Sequence, residues 1–460
     1  MKKVAFHNLG CKVNSYELDG ISQMFQKRGY EIVNFAQKAD IYVINTCTVT
    51  NIADRKSRQM LSRAKSKNPD AVVVAAGCFV QSDPDAAVLC PNIDIAVGND
   101  HKLQIVDIVE EFIARREEKD KDSGYAGSIK TLFGKTVSDL GKDCTYERLS
   151  IDHTAGHTRA FMKIQDGCDM FCSYCAIPFA RGRARSRSIS DIKDEAYRLS
   201  ENGYKEIVIT GIHLSSYGLD EPYNTFAGKG LTNTALLDAI EAVAMTEGIE
   251  RIRIGSLEPR LITEEFAKRL SSVKKLCPHF HLSLQSGCDT VLKRMNRHYS
   301  TSEYEEKVGL LRSFFEHPAI TTDVITGFPG ETEEEFETTR QFLDRIGFYE
   351  CHVFKYSRRK GTAADKMSGQ LTDAKKSERS TVLIADSDAR KREFMSYYIG
   401  KKVTVLAEDT LVRDKKTYST GYTPEYVKVI MPQTESGTLT EILCFELFCD
   451  NIEGVLCATI

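Results

Sequence analysis

The residues best suited to chemistry are three closely spaced cysteines, Cys168, Cys172 and Cys175, in GCDMFCSYC. Three thiolates on one loop can hold three corners of a cubane iron–sulfur cluster, whereas structural zinc sites and most clusters take four protein ligands. A triplet with no evident fourth partner leaves one iron open. An open iron can chelate the amino and carboxylate groups of S-adenosylmethionine (SAM). Electron transfer into the sulfonium then releases a 5′-deoxyadenosyl radical. The same spacing also fits a zinc knuckle with a distant fourth ligand, or a packed cysteine cluster.

A second set is dispersed. Cys11, Cys47 and Cys78 lie in NLGCKVN, INTCTVT and AAGCFVQ, each just after an expected strand. The strand ends of a parallel sheet share one edge, so three such thiols can converge. Gly10 and Gly77 precede two of them and permit tight turns. On spacing alone, three half-buried structural cysteines fit as well. The other eight cysteines (Cys90, Cys144, Cys277, Cys288, Cys351, Cys444, Cys449 and Cys457) form no ligand pattern and read as packed or surface thiols.

The elements that must position these residues are βα units. Over residues 1–117, continuous β-branched runs at 4–7, 41–45, 71–75 and 93–97 alternate with helical stretches at 16–28, 53–66 and 103–115. Unbroken apolar runs are expected of parallel strands buried on both faces, so a Rossmann-like α/β domain is predicted. Residues 118–158 include the charged EEKDKDSGYAG neighbourhood and read as a linker or loop. From 159 to 399 the pattern resumes, with strands at 160–164, 206–210, 251–254, 279–284, 321–326 and 351–354. Six repeats suit a partial (β/α)6 barrel whose strand ends face one cavity, closed by a long charged helix near 373–397. Residues 400–460 carry short runs expected to form a small, OB-like antiparallel β-barrel.

Composition sets the outer limits. The 460 residues carry a net charge of only -3, so any nucleic-acid contact must rest on a local basic patch. Three patches qualify. ARGRARSRS holds Arg181, Arg183 and Arg185 just after the first triplet, and arginine forks suit phosphate. A solvated loop or a site for the SAM carboxylate fits it too. YSRRKGTAA holds Arg358, Arg359 and Lys360. The tail carries Lys401, Lys402, Arg413, Lys415 and Lys416 with Tyr418, Tyr422 and Tyr426 interleaved, a mixture suited to stacking single-stranded RNA. No apolar run approaches the ~20 residues of a membrane span. Only Val4, Ala5 and Phe6 separate the first lysines from His7, short of the ~7–15 apolar residues of a signal core. A cytoplasmic location is expected, where cysteine-rich chains more often bind metal than form disulfides.

The first triplet, with Tyr174 before its last cysteine, resembles the signature of the radical SAM superfamily. Later strand ends resemble that superfamily's SAM-binding motifs: TGIHLSSYG with Gly211, IRIGSLEP with Glu258, LSLQSG with Gln285, and TDVITGFPGET with Gly327. The first of these lacks a full Gly-Gly-Glu. The second cysteine set resembles the N-terminal domain of the methylthiotransferase family, which holds an auxiliary cluster, and TGYTPEYVKV resembles a TRAM tail. Within that family, LGCKVNSYE with NTCTVT resembles the branch that acts on N6-threonylcarbamoyladenosine in tRNA. The resemblance implies two 4Fe-4S clusters, SAM, tRNA contacted near the anticodon, an electron donor such as flavodoxin or ferredoxin, and a sulfur source. It implies radical hydrogen abstraction from C2 of adenine, sulfur delivered at the second cluster, and methylation by a second SAM. A relative that modifies a ribosomal protein would carry the same tail. A non-catalytic iron–sulfur protein that binds RNA or senses redox state is the remaining alternative.

Overall fold

The computed structural model describes residues 1–119, 137, 140, 144–154, 156–220, 234–413, 415–450 and 453–459, so most of the expected linker at 118–158 lies outside the described residues. The chain forms two compact units. The first gathers residues 1–153, 165–187 and 357–365, and the second gathers 154–164, 188–356 and 366–460.

In the first unit, β1 (Lys3–Asn8), β2 (Glu31–Val33), β3 (Ile41–Thr46), β4 (Val72–Gly77) and β5 (Ile95–Val97) make one parallel sheet of order β2-β1-β3-β4-β5. Along the buried central strands, successive side chains pack on opposite faces of the sheet. Val72, Val74 and Ala76 pack with Leu18, Ile21 and Phe25 of α1 (Lys12–Lys27) on one face. Val73 and Ala75 pack with Leu61 and Ala64 of α2 (Asn51–Lys67) on the other. Both faces are covered, which is why the strands read as continuous apolar runs. The three-residue strand β2 is not among the expected strands; its pattern is mostly exposed, as an edge strand's is.

In the second unit, β8 (Glu206–Gly211) pairs in parallel with β9 (Arg251–Ile254). Strands β10 (His279–His281), β11 (Ala319–Thr326) and β12 (Glu350–Lys355) form a second parallel group. Single parallel bridges, Ile252↔Leu276 and Leu257↔Leu282, link β9 and its continuation to the segments flanking β10. The fourth expected strand of this region is therefore shorter than 279–284: after His281 the ladder thins, and Gln285 turns through a positive φ of 74°. Strand β6 (Ala160–Asp166) begins in this unit and ends in the first, where Gln165 and Asp166 pair with β7 (Arg185–Ser186).

The tail is a closed barrel of β13 (Lys402–Arg413), β14 (Lys416–Tyr422), β15 (Lys428–Pro432), β16 (Leu439–Asp450) and β17 (Glu453–Thr459). It is antiparallel except where β15 closes on β17 in parallel. Its core of Val405, Ala407, Val429, Met431 and Ile442 is shared with Met395 and Tyr398, at and beyond the end of the helix Asp373–Ser396. Arg253 of β9 secures it. Its Nε donates to buried Glu206 at 2.9 Å, its Nη1 to Pro424 O at 2.9 Å and its Nη2 to Thr423 O at 3.3 Å. Among the described residues no helix is long and apolar enough to cross a membrane.

Removing Arg253 leaves Arg251, 3.9 Å away, as the ion-pair partner of Glu206 among the described residues. Arg253→Met is expected to destabilise the second unit by about 3–5 kcal/mol, while Arg253→Met with Glu206→Met recovers most of that loss. Urea melts of the single and double variants check it; equal losses in both would show that the charge pair is not what matters.

Candidate metal centres of the first unit

Each cysteine of the dispersed set sits where a strand stops. Cys11 is the N-cap of α1, Cys47 follows Thr46 at the end of β3, and Cys78 follows Gly77 at the end of β4. Thr46 pairs with Gly77, so the register sets Cys47 beside Cys78. The sheet order reverses between β1 and β3, and open α/β sheets form their binding crevice at that switch point. Cys11 and Cys47 flank it.

The backbone around them is tightly made. Asn14 Nδ2 donates to Leu9 O at 2.9 Å and Thr46 O at 3.1 Å, tying the Cys11 turn to the Cys47 strand end. A Cβ on Gly10 would meet Cys47 Sγ at 3.2 Å, and one on Gly77 would meet Asn45 Oδ1 at 2.5 Å and Thr46 O at 2.8 Å. Both glycines have positive φ, 128° and 97°. Asn99 Nδ2 lies 3.8 Å from Cys78 Sγ and donates to Ala180 O at 2.7 Å. Cys47 and Cys78 are buried, while Cys11 is exposed. Burial pushes the Cys47 thiol up to about 11. Such a thiol becomes a ligand when a metal displaces its proton, which coordination does outright.

The compact triplet shares this unit. Cys168 N donates to Gly182 O and Cys175 N to Cys172 O, each at 3.0 Å. Tyr174 lies on the same loop. The short helix Ile177–Arg181 follows, and Arg181 turns inward. Its guanidinium is fully buried, paired with Glu17 at 2.7 Å and Asp166 at 3.2 Å, and it donates to Asn14 Oδ1 at 2.6 Å. Lys102, also fully buried, meets the other oxygen of Glu17. Arg185 is nearly buried, 3.6 Å from Asp166. Three buried cations thus face two carboxylates. The excess positive charge suits an anionic thiolate-ligated cluster. Among the described residues no three Cys, His, Asp or Glu side chains close on a single ion.

These contacts correct the reading of ARGRARSRS as a phosphate grip. Arg181 and Arg185 are internal, because the carboxylates of Glu17 and Asp166 hold them. Only Arg183 stays substantially exposed, paired with Asp169 and lying over Phe171. Arg359 is likewise internal, paired with Asp54 at 2.7 Å. Arg358 remains exposed, beside Asp365. The sequence reading missed Glu17, Lys102, Asn14 and Asn99. A charge at the core-facing spacing of Val13, Glu17 and Ile21 in α1 was the available signal.

In the second unit, the expected SAM-binding residues stand at or just beyond strand ends. Gly211 ends β8. Glu258 is buried, its Oε1 bound to Arg260 Nε at 2.6 Å and its Oε2 with no partner among the described residues. A buried carboxylate oxygen left open in this way suits a ligand hydroxyl. Gln285 donates its N–H to Asp323 O at 2.9 Å, and Gly327 donates its own to Glu331 Oε2 at 2.8 Å. In the tail, Lys402 is exposed beside Glu441, and Lys401 lies over the Tyr397 ring. Tyr422 and Tyr426 are not open platforms for bases. They stack on each other at 4.4 Å, with Arg159 over both rings and Arg253 over Tyr426.

Gly77→Ala is expected to exclude metal from the dispersed cysteines alone. After anaerobic reconstitution, iron should fall from about eight per chain to about four. Iron and acid-labile sulfide assays check this; full iron would mean that the turn tolerates the side chain.

Comparison with known proteins gives a consistent picture. Residues 162–343 match the radical SAM superfamily, and residues 3–98 match the uncharacterised protein family UPF0004. The chain is 41% identical over 436 residues to the threonylcarbamoyladenosine tRNA methylthiotransferase MtaB of Bacillus subtilis, covering 95% of this chain and 91% of that protein. Against the protein of the same name from Aquifex aeolicus it is 40% identical, covering 88% and 92%. A tRNA-2-methylthio-N(6)-dimethylallyladenosine synthase of Clostridium botulinum is 32% identical, covering 94% and 92%. Among solved structures, the radical SAM methyltransferase TsrM from Kitasatospora setae shares the fold, with a TM-score of 0.53 at 14% identity over 79% of this chain and 77% of that one.

Proposed function

The chain belongs to the radical SAM tRNA methylthiotransferase family, and we propose that its substrate is N6-threonylcarbamoyladenosine next to the anticodon, methylthiolated at C2 of the adenine. The observation that carries this reading is the gathering of two cysteine triplets in one unit, one on a single loop and one at a sheet's switch point. The names of the relatives at 41% and 40% identity favour this nucleoside over the dimethylallyl one named for the relative at 32%.

When bound, two 4Fe-4S clusters and SAM supply the electron, the radical, the sulfur and the methyl group. Radical chemistry is needed because no side-chain base removes the proton of an unactivated ring C–H. The chain's own residues have separate tasks. Cys168, Cys172 and Cys175 would hold the cluster that cleaves SAM, and Cys11, Cys47 and Cys78 would hold the auxiliary cluster tied to sulfur delivery. Lys102, Arg181 and Arg185 stabilise thiolate charge. Glu258 would accept from a SAM hydroxyl, with Gly211, Gln285 and Gly327 of the second unit, and Tyr174 of the first, as the further SAM-binding residues the family resemblance implies. Arg183, Arg358, Lys401 and Lys402 are among the exposed cations available to tRNA phosphates. In this reading residues 1–117 are the auxiliary-cluster domain, 159–399 the SAM-cleaving domain joined to it through 118–158, and 400–460 the RNA-contacting tail. A flavodoxin or ferredoxin provides electrons in the cytoplasm, and a separate donor replaces the sulfur.

Cys172→Ala is expected to abolish both 5′-deoxyadenosine and product. Folded Cys47→Ala should still cleave SAM under a strong reductant while making no methylthio nucleoside, because one lost thiolate cripples only its own cluster. Nucleoside mass spectrometry of tRNA from a deletion strain tests the substrate. A missing mass on a ribosomal protein, with tRNA unchanged, would transfer the activity to a protein side chain.

A further inference from the structure

Residues 357–365 belong to the first unit although nearly 170 residues separate them from its preceding segment. Their contacts run to both cysteine loops. At one end Arg359 Nη1 donates to Asn51 Oδ1 and Asp54 Oδ2, each at 2.7 Å, and Nη2 donates to Thr48 Oγ1. Thr48 is the residue after Cys47. Asn51 returns the contact, its Nδ2 donating to Arg358 O at 2.9 Å and its N–H to Ser357 Oγ at 3.2 Å. At the other end Ala364 N donates at 2.8 Å to the carbonyl of Ser173, which lies between Cys172 and Cys175. The segment is stiff. Thr362 Oγ1 donates to Arg359 O at 2.7 Å, and Arg358 Nε donates to Asp365 Oδ1 at 2.6 Å. Thr362 and Ala364 are buried.

The Cys47 loop needs such a hold. Val49 and Ile52 are 53% and 55% exposed, so burial of apolar side chains does not fix that side of the loop. Arg359 is almost buried and meets three acceptors on it, an arrangement that suits a planar fork and that a lysine cannot reproduce.

We infer that residues 357–365 form a strap that fixes the Cys47 loop relative to the Cys172–Cys175 loop, and that Arg359 is its positioning residue. The inference rests on the reading that each loop ligates a cluster. Its consequence is geometric coupling. A carbon radical generated next to one loop must meet sulfur held at the other before it is quenched, and an error of about 1 Å in such alignment is costly. Loosening the strap should therefore uncouple the two half-reactions rather than stop either.

The test is the ratio of methylthio nucleoside to 5′-deoxyadenosine in reconstituted, full-length enzyme, with iron measured on the same samples. Wild-type iron of about eight per chain secures the two-cluster reading first; about four would overturn that reading separately. Arg359→Ala should cleave SAM normally while the ratio falls roughly 10- to 100-fold, the usual effect of losing a group that orients metal ligands. Arg359→Lys, which keeps the charge without the fork, should retain full iron and give an intermediate ratio. Asn51→Ala should lower the ratio too, and not additively with Arg359→Ala. If Arg359→Ala loses iron, Arg359→Lys and Asn51→Ala carry the measurement. Wild-type ratios in the iron-replete variants would overturn the inference.

Discussion

A fully buried ion pair, Arg181 with Glu17, organises the cysteine-bearing unit. Arg181 comes from the helix that follows the compact triplet, and Glu17 from the helix that Cys11 caps. Charges removed from water persist only when they are paired and their remaining donors and acceptors are met. Asp166, Asn14 and Lys102 meet most of that condition, and Arg181 Nε has no partner among the described residues. Stripping either partner would strand a charge in the interior, so the pair ties the two segments together. The same residues give the site its electrostatic bias, an excess of cations beside thiols that must become anions.

The sheet does the rest of the gathering. Parallel strands all end on one edge, and the reversal of order between β1 and β3 opens a crevice there. Three cysteines spread over 68 positions of sequence are thereby set along one edge of the sheet without any local motif to join them. Gly10 and Gly77 make this possible because the chain must turn within one residue of each strand end while side chains of the neighbouring strand press against it. A fold chosen for burying apolar faces thus sets three thiols along one edge as a by-product of its topology.

In the second unit the strand ends carry a different sort of site. Glu258 keeps one carboxylate oxygen open inside a buried setting, and Gln285 and Gly327 stand at the ends of neighbouring segments. The tail barrel is joined to this unit through Arg251 and Arg253, whose guanidinium groups reach the carbonyls of Thr404, Tyr422, Thr423 and Pro424. Stacked Tyr422 and Tyr426 belong to that junction. Aromatic residues beside arginines look the same in sequence whether they bind bases or hold two parts of a protein together.

The sequence by itself determined the local facts: which residues form buried parallel strands, that a cysteine follows three of them, and that a second triplet lies on one loop. Strand and helix periods are written residue by residue, so the strand ends and the cysteines on them were legible. Only the tertiary structure decided which arginines face water. ARGRARSRS is a basic string, and its meaning depends on a glutamate 164 positions away that holds Arg181 inside. Likewise nothing near YSRRKGTAA announces that Arg359 will reach Thr48, Asn51 and Asp54, some 305 to 311 positions earlier. Spacing along the chain encodes local geometry. The pairing of a buried charge is fixed by packing between distant segments, because the cost of leaving it unpaired falls on the folded interior as a whole.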